Sequence, residues 1–154
     1  MWICGVFSVH LCPTHVLWQH KSGSTTGHLG LANLIMYYDA NNVQLSTKVD
    51  EVDGEDVAAK YRAWGWHVIE VDGHNVDELR AALIEANEQT ECPTLIIGRS
   101  IMAKGARGAE GESFEGKVST HGQPLSGAGA DLAATVENLG GDKENPFVVF
   151  RESA

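Results

Sequence analysis

The sequence predicts an α/β domain built as a three-layer sandwich, a parallel sheet lying between layers of helix. Three observations predict it. Residues 34–38 (LIMYY) and 94–97 (TLII) are short apolar runs without helical period, closed by turn-forming or glycine residues, as strands buried on both faces are. Residues 54–65 and 75–89 carry apolar positions at helical spacing instead. Strand and helix therefore alternate as βαβαβ, whose crossovers are right-handed and whose strands run parallel.

Taken in order, residues 1–26 differ in character from the rest. They hold Cys4 and Cys12, three of the seven histidines (His10, His15, His20) and no acidic residue. No basic start or small-residue cleavage site marks a signal peptide, and the Cys and His spacing fits no usual zinc set. This segment is expected to pack poorly, so that its deletion leaves the melting of the remainder unchanged.

Residues 33–39 form the first predicted strand, with Asp39-Ala40-Asn41-Asn42 at its carboxyl end. Open α/β sheets bind ligands at that edge. Asn and Asp oxygens suit a hard cation such as Mg²⁺ shared with a phosphate; the same residues commonly do no more than turn the chain, and the residues alone leave both readings open. In the following helix Val57, Tyr61 and Trp64 share a face, and Gly65 closes it. Residues 66–71 read as a second strand ending in Asp72-Gly73-His74, where His74 could be a site histidine, although a solvated turn residue is the commoner case. Asn75 caps the next helix with Glu78 at the capping-box position, and Val76, Leu79 and Leu83 share its face. Residues 94–98 form the third strand.

Residues 98–118 lose all periodicity and read as a long loop of the functional or mobile kind. Its Lys104, Arg107 and Lys117 could attract a phosphate, although solvated loop charges are the commoner case. Residues 119–125 (STHGQPL) hold His121 between a hydroxyl residue and a glycine, where an imidazole can meet a phosphate or move a proton near neutral pH. Ser126 is expected to cap a last helix with Leu132, Val136 and Leu139 on one face and Gly140 as its stop. Residues 147–150 form a short apolar segment.

At 154 residues the chain suffices for one ordinary domain. A formal net charge of −10 argues against a nucleic-acid surface. No apolar stretch is long enough to span a membrane. Three cysteines without pattern make no disulfide framework, and a reducing cytoplasm is the default compartment.

The segments YYDANNVQLST, AWGWHVIEVDGHN and STHGQPL, in that order, resemble the cofactor-binding domain of transketolases over about residues 27–150. The resemblance implies part of a thiamine-diphosphate-binding fold, with residues 1–26 a non-matching segment and residues 27–154 the carboxyl-terminal part of that domain. It implies thiamine diphosphate and Mg²⁺ (or Ca²⁺) as cofactors. Carried over by position, Asn41 would give the metal a side-chain oxygen and Val43 its backbone carbonyl. Leu45 and Met102 would lie near the thiamine rings. His121 would contact the diphosphate as the catalytic residue, assisting proton transfer. The implied activity is transfer of a two-carbon ketol unit between sugar phosphates, in the pentose phosphate pathway, by a homodimer. The alternative is a non-catalytic α/β subunit or gene fragment that needs a partner chain.

Two departures qualify the match. Aligning Gly27 with the family's Ala-Gly-His-Leu-Gly-Leu places its Gly-Asp-Gly element on His10-Leu11-Cys12, so that Leu11 stands where the family has a metal-binding Asp. Ala103-Lys104-Gly105 stands where the family has glycine, an aromatic residue and glycine. The abrupt change before residue 27 predicts a truncated gene, a frameshift or a wrong start. The resemblance also implies a missing pyrimidine-binding domain, whose glutamate would activate the cofactor.

Overall fold

The computed structural model describes residues 5–8 and 16–148, with side chains from Lys21 onward. Its elements are β1 (Gly5–Ser8), α1 (Val16–His28), β2 (Leu34–Ala40), α2 (Val57–Ala63), β3 (His67–Asp72), α3 (Val76–Glu88), β4 (Thr94–Arg99) and α4 (Leu132–Asn138). The chain divides into two compact units, residues 1–41 with 53–100 and residues 42–52 with 101–154.

The first unit holds one sheet in the order β1-β2-β4-β3. Every neighbouring pair is parallel, as predicted for β2, β3 and β4. Arg99 pairs with both Ala40 and Asp72, so the carboxyl ends of β2, β4 and β3 finish level along one edge. The period-two alternation of side chains sorts two cores onto opposite faces. Leu95 and Ile97 pack with Ala58 and Tyr61 of α2 and with Trp66 on one face, where Leu34, Met36 and Tyr38 join them. Ile35 and Ile96 meet Ala82 and Ala86 of α3 on the other. Helices on both faces of a parallel sheet make the three predicted layers.

Both predicted helices of this unit form, and local chemistry fixes their ends. Asp56 caps α2, its carboxylate accepting the Ala59 N–H at 2.9 Å. Gly65, at φ +82°, supplies the left-handed turn that stops it. Asn75 caps α3 by accepting the N–H groups of Asp77 and Glu78. The Glu78 carboxylate reaches back to the Asn75 amide and the Asp72 N–H. The buried face of α3 differs from the expected one: Val76 is 64% exposed and Leu83 40%, whereas Ala82 and Ala86 are buried. Alanines bring the helix axis close to the sheet, and bulkier residues at those positions would hold it away.

The amino-terminal expectation is corrected where residues are described. β1 adds a fourth strand beside β2. Helix α1, which no apolar stripe announces, packs by close backbone approach. A Cβ on Gly27 would lie 1.8 Å from the Trp64 carbonyl oxygen, and one on Gly23 would lie 2.7 Å from the Trp64 ring. The Trp66 indole N–H, buried, donates to the Gly23 carbonyl at 2.8 Å. Leu11 lies outside the described residues.

In the second unit, residues 101–131 form no helix beyond a single 3-10 turn, Val118–Thr120, and no named strand. Ala106, Phe114 and Ala130 make its small core. Thr135 of α4 is buried and both accepts from the Arg107 N–H at 3.0 Å and donates to the Arg107 carbonyl. Asn138 donates to the Gly105 carbonyl at 2.9 Å. The expected loop is therefore tied down by α4. Asp131, not Ser126, caps that helix, accepting the Ala134 N–H at 2.7 Å; Ser126 belongs to the turn ahead of it, its carbonyl accepting from Gly129. Leu132 and Leu139 are exposed and Thr135 is the buried position, because α4 docks through backbone-directed hydrogen bonds. Gly140, at φ +79°, ends the helix as expected.

Candidate functional site

β2 delivers a polar cluster to the carboxyl edge of the sheet, as its sequence predicts. The strand runs through Ala40, and Asp39, Asn41 and Ser100 are all half-buried there. The Ser100 hydroxyl donates to Asp39 Oδ1, the Asn41 amide nitrogen donates to Asp39 Oδ2 at 3.0 Å, and the Ser100 N–H reaches the Ala40 carbonyl. Asp39 and Asn41 are two residues apart, the spacing that puts side chains on one side of an extended chain. That spacing was the available signal for a role of Asp39 beyond turning the chain. Burial, and after it the Asp39 carboxylate, pushes the Tyr37 and Tyr38 phenols above their ordinary 10.0, so both rings stay neutral beside the cluster.

The following segment belongs to the second unit. Asn42 takes φ +59°, which Asn tolerates better than most residues, and its side chain both donates to Asp50 Oδ2 at 2.9 Å and accepts the Asp50 N–H. Val43 is buried and forms an isolated antiparallel bridge with Lys48. The bonds of that bridge come from its neighbours, Val49 N–H to the Asn42 carbonyl and Gln44 N–H to the Thr47 carbonyl. This small loop fixes the backbone of Val43.

Leu45 is 69% exposed, yet its Cδ2 lies 2.8 Å from where a Cβ on Gly122 would stand. The structure thus brings Leu45 against the glycine beside His121. Gly122 takes φ +73°, a second reason for glycine there. His121 follows the 3-10 turn Val118–Thr120, its N–H bonded to the Val118 carbonyl at 3.1 Å. Its Nδ1 is buried without a protein hydrogen-bond partner. A buried imidazole nitrogen left unpaired costs free energy unless something meets it. Met102 is half-buried and its carbonyl accepts from Gly116 at 2.9 Å. Ala103, next to it, takes φ +53°, a left-handed conformation that glycine adopts without strain. Of the loop cations, Lys117 is seated 3.9 Å over the Phe114 ring.

An anion with apolar rings fits this inventory: a histidine with an unpaired buried nitrogen, and exposed or half-exposed leucine and methionine side chains. The Asn41 amide and the Val43 carbonyl are each oxygen donors of the kind a hard divalent cation takes. They are uncharged, however, and among the described residues no group of three or more His, Cys, Asp and Glu side chains could hold a metal ion. No helix among the described residues is long and apolar enough to cross a membrane.

Residues 18–154 match the protein family described as "Transketolase, thiamine diphosphate binding domain". Transketolase 2 of Xanthobacter flavus is 38% identical over 132 residues, covering 85% of this chain and 18% of that protein. The plasmid-borne transketolase of Cupriavidus necator matches with the same identity and coverage. The crystal structure of transketolase from Campylobacter jejuni superposes with a TM-score of 0.79 at 28% identity, covering 96% of this chain and 22% of that one. Pichia stipitis transketolase in complex with sedoheptulose-7-phosphate gives 0.77 at 27%, over 96% of this chain and 21% of that one. The chain therefore spans about a fifth of the length of the relatives it matches.

Proposed function

The chain belongs to the transketolase family through its thiamine-diphosphate-binding domain, and from that premise we propose that it supplies the diphosphate-binding half of a two-carbon ketol transferase acting on sugar phosphates. The single observation that carries the reading is the buried, unpartnered Nδ1 of His121, in the position that the resemblance assigns to the cofactor's diphosphate. Thiamine diphosphate, when bound, supplies the carbanion chemistry that no amino-acid side chain provides.

The chain's own residues then have separable tasks. His121 meets the diphosphate or a proton-bearing group at its ring nitrogen. Leu45 and Met102 give apolar contact to the thiamine rings and keep water from them. The Asn41 amide oxygen and the Val43 carbonyl would hold Mg²⁺ or Ca²⁺ as two uncharged oxygen donors. Residues 27–154 carry all five of these positions. A reducing cytoplasm suits Cys92, a free and half-buried thiol.

The chain's coverage of about a fifth of its relatives favours a second reading alongside the first: a subunit or fragment that needs a partner chain for turnover. The experiment is a two-carbon transfer assay with a ketose phosphate donor and an aldose phosphate acceptor. The chain alone is expected to give no product, and the chain mixed with a pyrimidine-binding domain taken from a relative is expected to give product that His121→Ala abolishes. Failure of both, with no cofactor binding in either, would overturn the enzymatic reading and leave the inert one.

A further inference from the structure

We propose that Asp39 is a positioning residue that sets the direction of the Asn41 amide, with Ser100 locking Asp39 in turn. The inference rests on the reading that Asn41 gives its oxygen to a divalent cation. An amide side chain is nearly symmetric in shape, and a flip exchanges an acceptor oxygen for a donor NH₂ group that a cation repels. Something must choose between the two. An ionised carboxylate accepts and does not donate, so only the Asn41 nitrogen can face Asp39, and it does so at 3.0 Å from Oδ2. The amide oxygen is thereby turned to the other side.

The carboxylate is itself held. Its Oδ1 accepts the Ser100 hydroxyl, and the Ser100 backbone N–H is bonded to the Ala40 carbonyl, one residue from both Asp39 and Asn41. β2 and β4 pair in register up to Ala40 and Arg99, which brings Ser100 level with this turn. The chain of orientation thus runs from the sheet to Ser100, to Asp39, to Asn41. Groups that orient a ligand from behind commonly affect metal affinity 10- to 100-fold.

The test uses the full ¹⁵N-labelled chain. The Asn41 side-chain NH₂ signals are identified by their loss in Asn41→Ala, and the probe is Mg²⁺ titrated in the presence of thiamine diphosphate. Asp39→Ala is expected to shift the NH₂ pair and speed its exchange, and to raise the Mg²⁺ midpoint about tenfold. Asp39→Asn removes the same charge but keeps one acceptor, so it is expected to fall between; equal losses in the two variants would mean that charge alone acts and would overturn the positioning role. Unmoved NH₂ signals in Asp39→Ala would overturn it too. If those signals move while the Mg²⁺ midpoint stays, and Asn41→Ala still abolishes the response, the positioning claim fails and the metal reading stands. A Mg²⁺ response unchanged in Asn41→Ala removes the metal reading, and the inference with it.

Discussion

Thr94, at the start of β4, carries a buried side chain left unsatisfied among the described residues. It is fully buried, level with Ile35 on one side and His67 on the other, and its hydroxyl has no partner. A hydroxyl taken from water without a hydrogen bond costs about 1–3 kcal/mol, and valine has nearly the same shape. Thr94→Val is therefore expected to raise stability by about 1 kcal/mol in urea unfolding; a loss would show that the hydroxyl is in fact satisfied. Glu70 is the opposite case, an exposed carboxylate bonded to Arg99 at 2.8 Å and Arg62 at 3.0 Å. Those two hydrogen bonds, Arg99 first, hold its pKa below the ordinary 4.5. A depressed carboxylate stabilises the fold above its unfolded pKa, and the contribution fades as pH falls through the lower folded value. Glu70→Gln should cost no more than about 1 kcal/mol at neutral pH, because exposed pairs are screened, and nothing below about pH 2. A cost that persists in acid would point to packing rather than charge.

At the scale of elements, the amino-terminal pieces have the most to answer for. β1 covers the free edge of β2, and α1 is held by glycine contacts and by the Trp66 indole. Deleting residues 1–26 is now expected to destabilise the remainder by more than about 2 kcal/mol. Gly27→Val should reproduce part of that loss, since its side chain would collide with the Trp64 backbone. Unchanged melting in both would restore the original expectation. β2, β3, β4, α2 and α3 were legible because burial on two faces and amphipathic spacing leave strong patterns in sequence. α1 was not, because VLWQHKSGSTTGH packs through Gly23 and Gly27, and an absent side chain leaves no periodic signal. The faces of α3 and α4 were misread for a related reason. Ala82, Ala86 and Thr135 do the packing, and ranking positions by hydrophobicity favours the exposed Val76, Leu83, Leu132 and Leu139 instead.

Across the whole molecule, the motifs proposed for the site stand out in the sequence, and the contacts that support them do not. Asn41 and His121 stood out through the segments around them, whereas the Asp39–Ser100 bond joins residues 61 positions apart. The binding strength to be expected follows from the proposed donor set. Asn41 and Val43 are neutral, and no acidic cluster among the described residues adds charge; divalent cation affinity depends strongly on ligand charge. Calorimetric titration of the chain with thiamine diphosphate and Mg²⁺ tests this most directly, with Asn41→Ala and His121→Ala beside it. The account predicts a Kd of about 100 μM or weaker, about 5.5 kcal/mol of binding at most, weakened further in both variants. Low-micromolar binding, or binding that neither variant touches, would contradict it.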